Sequence, residues 1–233
     1  LIPLRVVSDD KSLVIQSDNF LEAVNDKLSM VKRLKVIPRI STLPYRDIEV
    51  SLERIRNELK INYLVDGNIR MEDEKIVIWI ELSEARTTKA LWSKKYVWEK
   101  NRIPVITREI AVNIAECLNI KLSEAELRMI STESSPNVDA NLNFIAAKVI
   151  SDDAWFYYNY GDKMVDSTDF ISAVRTYGKA IEFDSMFAQA YARRAIAISW
   201  GFYTGQLDSS YISRCRDDID KALSINKDLY DAS

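Results

Sequence analysis

The stretch from Ala154 to Ala188, AWFYYNYGDKMVDSTDFISAVRTYGKAIEFDSMFA, constrains the fold more than any other part of the chain. Two blocks with helical spacing flank a polar turn, Asp166-Ser167-Thr168-Asp169. Gly161, Ala173 and Ala180 stand where two packed helices leave almost no room for a side chain, and Tyr157, Tyr177 and Ile181 supply bulk around them. A helix-turn-helix of this kind cannot bury its apolar face alone and needs a neighbour of similar build.

The neighbour follows directly. Phe187-Ala-Gln-Ala-Tyr191 and Ala195 repeat the opening pattern, and a second helix from about Ser210 to Ile225 carries Cys215, Ile219 and Ala222 at the corresponding positions. Ala180 and Ala222 are 42 residues apart where the repeat period is roughly 34. An insertion is therefore expected near Gly201–Asp208. Tyr230-Asp-Ala-Ser233 reads as the first turn of a third, truncated unit. These residues resemble tetratricopeptide (TPR) repeats, with units near 154–187 and 188–229. Ser185 stands where that family usually has proline. The cut third unit and the absence of an initiator Met before Leu1 predict a piece of a longer protein.

Hydrophobic residues make up 47% of the 233 and charged residues 29%, which suits a folded chain and argues against disorder. The net charge of −3, with signs interspersed, recommends neither nucleic acid nor an anionic membrane as a partner. No apolar run reaches the roughly 18 residues of a membrane span. There is no histidine, which removes His-based triads and the commonest metal ligand. No C-x-x-C pair, G-x-S-x-G elbow or phosphate loop occurs either. Neither catalytic residue, metal nor cofactor is expected. Cys117 and Cys215 lie on apolar helix faces and read as packing residues rather than a disulfide.

The N-terminal half reads as an α/β arrangement. Leu1–Val7 is expected to be a buried strand. A helix is predicted over about Ser17–Lys32, capped by Ser17 or Asp18. Leu34–Pro38 is expected as a second strand, an irregular Pro38–Arg46 connection follows, and a second helix runs near Ser51–Lys60. Asn62–Met71, Ile76–Leu82 and Ala90–Trp98 read as an antiparallel meander, its first turn at Glu72–Lys75. Pro104 suits the first turn of a helix, and Ser123-x-x-Glu126 forms a capping box. Ser131–Asn137 has no large apolar residue and reads as a linker. Val138–Ile150 is helical, with its junction to the helix of Trp155 left open. The predicted order before the linker is β-α-β-α-β-β-β-α, helices against a mixed sheet. Domains are expected at 1–130 and 139–233, with 131–138 between them.

Ile55-Arg-Asn-Glu-Leu-Lys-Ile-Asn-Tyr-Leu-Val-Asp-Gly-Asn-Ile-Arg70 resembles an I-G-x-E-L-G-V-x-Y-V-L-E-G-S-V-R segment of the TolB amino-terminal-like domain. Ile2-Pro-Leu4, Arg39-x-Ser41 with Tyr45, and Ala90-Leu-Trp92 with Tyr96 resemble its flanking pieces in order. The likeness covers about residues 1–120. Arg56 and Lys60 replace the two glycines of the helix segment, and Asp18–Ala23 departs from the family's D-G-L-T-E-D. The resemblance implies a non-catalytic sensory or regulatory region. That family precedes TPR repeats in bacterial class III adenylate cyclases, which make cAMP, and in CadC-like membrane regulators. It further implies the periplasmic side of the inner membrane if a transmembrane segment lies upstream, and otherwise the cytoplasm. The alternative is a free-standing TPR scaffold.

The site expected to bind a protein or peptide partner is the concave groove of the repeats. Trp155, Tyr158, Asp162 and Asp166 fall on its inner helix in the first unit, and Gln189 and Trp200 in the second. The aromatics would anchor the partner and the acids would favour a basic segment. A homodimer is left open, and contact with a membrane is expected only through a segment outside these residues. Elsewhere the packing reading is preferred. Trp92, Tyr96 and Trp98 share a strand face and read as cross-strand packing ahead of ligand stacking. Arg39 and Arg70 read as solvated ahead of anion-binding, and Gly67 as a bulge or close backbone approach.

Overall fold

The computed structural model describes residues 1–8, 11–46, 51–160 and 169–227. The chain divides into two compact units, 1–132 and 133–233.

The first unit is a mixed four-stranded sheet with helices. Strand β1 (Arg5–Val7) runs parallel to β2 (Tyr63–Glu72), and β3 (Lys75–Glu84) and β4 (Ala90–Val97) complete an antiparallel meander in the order β1-β2-β3-β4. Asp73 and Glu74 both have positive φ, 47° and 62°, as a tight two-residue hairpin requires. Gly67 faces the Trp79 carbonyl so closely that a Cβ would lie 1.9 Å from its oxygen, so the glycine permits a close approach. Val65 and Ile69 on β2 share a face with Leu82, Ile80 and Ile78 on β3 and with Tyr96 on β4, and all six are buried. Helices α1 (Lys11–Ser29) and α3 (Ile103–Cys117) pack on each other and contact the sheet, burying Phe20, Val24, Leu28, Ile106, Ile110 and Ile114. Helix α2 (Leu52–Leu59) is capped by Ser51, and α4 (Glu124–Ser131) begins with the expected capping box at Ser123 and Glu126.

Several expectations for this unit need correction. Strand β1 covers only Arg5–Val7, and both Arg5 and Val7 are exposed, so the buried strand expected over Leu1–Val7 is a short sheet edge. Helix α1 starts at Lys11, about two turns early, because Leu13, 1% exposed, extends the apolar stripe of Phe20, Val24 and Leu28 backwards. Ser17 and Asp18 are thus buried inside the helix rather than capping it. Leu34–Pro38 is not a strand: it contributes half-buried Leu34, Val36 and Ile37 to the lining of a hollow, and no ladder pairs it. The element order is therefore β-α-α-β-β-β-α-α.

The second unit is all helical. Helices α5 (Val138–Tyr160), α6 (Phe170–Phe183), α7 (Ala188–Tyr203) and α8 (Ile212–Ile225) pack each on the next. The helix of Val138 and that of Trp155 are one continuous helix. Ala173 and Ala180 have no exposed surface, Tyr177 is 1% exposed, and Ala195 and Ala222 are buried. Cys215 is half-buried and packs against the core as expected, whereas Ile219 is exposed on the outer side of the last described helix. Phe144 was not singled out from sequence, yet its ring sits 5.8 Å from Tyr177 and 4.8 Å from Phe187. Gly161 lies outside the described residues. In the expected insertion, Gln206 and Leu207 donate back to the Gly201 carbonyl, and a Cβ on Gly201 would lie 2.6 Å from Leu207. The segment after residue 132 is stitched to this unit: Ser135 is buried and bonds Asn141 and Asp184, and Asn137 donates to the Phe183 carbonyl.

Candidate functional site

Four aromatic rings close a circuit on the helical unit. Trp155 and Tyr158 are three residues apart on α5, and Trp200 and Tyr203 are three apart on α7, so each pair shares a helix face. Trp155 meets Trp200 at 4.1 Å between centroids, Trp200 meets Tyr203 at 5.7 Å, Tyr203 meets Tyr158 at 6.2 Å, and Tyr158 stacks on Trp155 at 6.3 Å. Such ring pairs contribute about 0.5–1.5 kcal/mol each beyond area burial.

The circuit is anchored below and open above. Trp155 packs against the core of Phe170, Val174 and Ile198. Tyr158 is 49% exposed, Trp200 37% and Tyr203 67%, and Ile196, one turn before Trp200, is 46% exposed. Rigid rings held in place by one another and still wet on one side suit a contact surface, because little side-chain entropy remains to be lost on binding.

The sequence-predicted residues divide accordingly. Trp155, Tyr158 and Trp200 are brought together. Gln189 is half-buried on the same helix as Trp200 but three turns away, about 16 Å along the axis. Asp162 and Asp166 lie outside the described residues. Tyr203 falls in the stretch expected as an insertion after Gly201, although its spacing of three from Trp200 marks it as a partner on the same helix face.

In the α/β unit Tyr96 and Trp98 serve packing, Arg39 is buried, and Arg70 sits in an ion pair near the surface. Tyr96 is buried beneath Lys94, whose ammonium lies 5.3 Å from the ring centroid and pairs with Glu109. Burial, then the neighbouring Glu109 carboxylate, raise the Tyr96 hydroxyl above its ordinary pKa. Trp98 meets Phe20 at 5.8 Å. Arg39 is not solvated as expected: it is 5% exposed and lies 3.5 Å from Glu22, one turn from Asp18, which takes Arg46 at 2.6 Å and 2.7 Å. Arg70 pairs with Glu72 and bonds Asn68. Asp66 stands directly opposite Glu81 across β2 and β3. Burial first, and then that facing carboxylate, raise its pKa, with Arg5 opposing.

No family model matches the chain. A stretch of 126 residues, 54% of the chain, is 25% identical to "Putative adenylate cyclase 3" of the bacterium Rhizobium meliloti (strain 1021). That stretch spans 22% of the relative's length, about a fifth. Among the described residues no helix is long and apolar enough to cross a membrane, and no group of three or more Cys, Asp or Glu is placed to hold a metal ion.

Proposed function

We propose that this chain is a non-catalytic regulatory region of an adenylate-cyclase-like signalling protein. In this reading a TolB amino-terminal-like unit is followed by a pair of TPR-type repeats, and the repeats receive a peptide segment of a partner protein. The observation that carries the binding half is the aromatic circuit of Trp155, Tyr158, Trp200 and Tyr203, which is packed below and exposed above. Support for the signalling half comes from the similarity to part of a bacterial adenylate cyclase. The close alanine contacts of α6 with its neighbours support the repeat assignment. A location on the periplasmic side of the inner membrane follows in this reading if the whole protein carries a transmembrane segment.

Two measurements test it. The purified chain, given ATP with magnesium or manganese, should form no cyclic AMP, and turnover would overturn the non-catalytic half. For the binding half, a protein captured on the immobilised chain is titrated against wild type and against Tyr158→Ala/Tyr203→Ala. Both tyrosines are exposed, so the variant should keep its circular dichroism and weaken binding by at least about tenfold, as truncated aromatic anchors do. Unchanged affinity would exclude the circuit as the binding surface.

A further inference from the structure

The polar ends of the aromatic circuit are unused. Trp155 and Trp200 carry indole N–H groups, Tyr158 and Tyr203 carry hydroxyls, and none of these four side chains makes a hydrogen bond among the described residues. Trp155 is half-buried, yet its N–H is not among the buried polar atoms that lack a partner, so it too reaches solvent. An indole N–H only donates, and a donor buried without an acceptor costs its full desolvation. A ligand that covers this surface must therefore bring acceptors to it.

Shape and charge narrow the choice. Trp200 meets Tyr203 at 84° and Tyr158 meets Tyr203 at 69°, so the exposed rings stand as ridges with notches between them rather than as one flat platform. Arg193, Ile196, Trp200 and Tyr203 follow one another along α7 at spacings of three, four and three and form one stripe. All four are exposed, and Arg193 makes no ion pair or hydrogen bond among the described residues. The stripe runs about 15 Å from Arg193 to Tyr203, at about 1.5 Å per residue. Its free end is thus positive, the opposite of the sign expected from Asp162 and Asp166, which lie outside the described residues.

We propose that the circuit takes a proline-rich segment in the polyproline II conformation, with an acidic residue at the end that meets Arg193. This names the ligand class of the same surface and rests on the reading of the circuit as a peptide-binding site. Proline has no N–H, so such a segment offers carbonyl acceptors to the indole and phenol groups and brings no backbone donors of its own. Its compact rings fill notches between aromatic side chains, and its preformed backbone loses little entropy on docking. At about 3.1 Å per residue, about five residues cover the stripe from Tyr203 to Arg193.

The whole chain is titrated with end-capped octapeptides, and the indole N–H signals are followed by NMR. One glutamate followed by seven prolines should bind one to one and move the signals of Trp155 and Trp200, leaving those of Trp79, Trp92 and Trp98 in place. The counterpart with alanine for proline should bind at least about tenfold more weakly, because it must order its backbone. A lysine in place of the glutamate should cost about threefold, and Arg193→Glu, at an exposed position, should invert that preference. Tyr158→Phe/Tyr203→Phe keeps the rings, removes two donors and should weaken the proline peptide about tenfold. No saturable binding of the proline peptide, an unaltered affinity in the phenylalanine variant, or no inversion in Arg193→Glu would each overturn the proposal. Equal binding of the proline and alanine peptides, lost in Tyr158→Ala/Tyr203→Ala, would overturn the proline assignment and leave the circuit as a peptide site. Peptide binding that is indifferent to that alanine variant would overturn both readings.

Discussion

In the α/β unit the fully buried core is mostly aliphatic, with Leu4, Leu13, Ile69, Ile78 and Ile110 together with Phe20. In the helical unit Ala140, Ala147, Ala173, Ala180, Ala190 and Ala197 have no exposed surface, while Trp200, Phe202 and Tyr203 stand outside. Helix axes lie about 8–10 Å apart depending on the side chains between them, and alanine seams favour the short end of that range. Three rings do enter, Phe170, Tyr177 and Phe187, each at most 1% exposed, while Trp200, Phe202 and Tyr203 lie at the surface. Charge is handled alike in both units. Each buries an Arg–Asp pair, Asp18 with Arg46 and Asp218 with Arg194, the latter bonded at 2.8 Å and 2.6 Å.

The largest effects should come from breaking that shared feature. Asp18→Ala or Asp218→Ala leaves a largely buried guanidinium uncompensated, which costs about 3–5 kcal/mol. Calorimetry on each variant measures it, and a loss confined to one of them would mean that the two pairs are not equivalent. Next come the alanine seams. Ala173→Leu or Ala180→Leu should cost about 1–3 kcal/mol by overpacking. An unchanged thermal midpoint in both would show that the seams are not tight.

The smallest effect concerns pH. Glu126 accepts from the Ser123 hydroxyl and from the Ser123 and Lys32 backbone N–H groups, which lower its pKa from 4.5 to about 2. A carboxylate depressed in the folded state stabilises fully above its ordinary pKa, and that contribution is lost as pH falls. Stability of the α/β unit should therefore drop between about pH 4.5 and 2. Glu126→Gln should flatten that drop in a series of melting curves. An unaltered slope would mean that the capping box carries no acid sensitivity.

Much of this was legible in the sequence, and what escaped has definite causes. The β-meander announced itself through period-two alternation from Ile76 to Leu82, and the Glu72–Lys75 turn through its polar residues, because both signals are local. Leu34–Pro38 has the same apolar look as a strand, but a strand exists only where a ladder partner does, and β1 is a three-residue edge. Ser17 and Asp18 look like caps until Arg46, 28 residues beyond Asp18, supplies the charge that lets Asp18 sit inside a helix. For the candidate site, Trp155, Tyr158 and Trp200 were found from repeat position. Tyr203 required knowing that α7 runs past Gly201.

By itself the sequence determined the mixed sheet with helices, the following helical pairs and the seams of small residues, since each depends on spacing within a few turns or one strand. Only the tertiary structure decided which aromatics meet, which charges are buried together, and where the apolar run after α1 goes. Those outcomes depend on contacts between residues far apart in the chain, whose free energy is set by what the folded neighbour offers rather than by the residue's own preference.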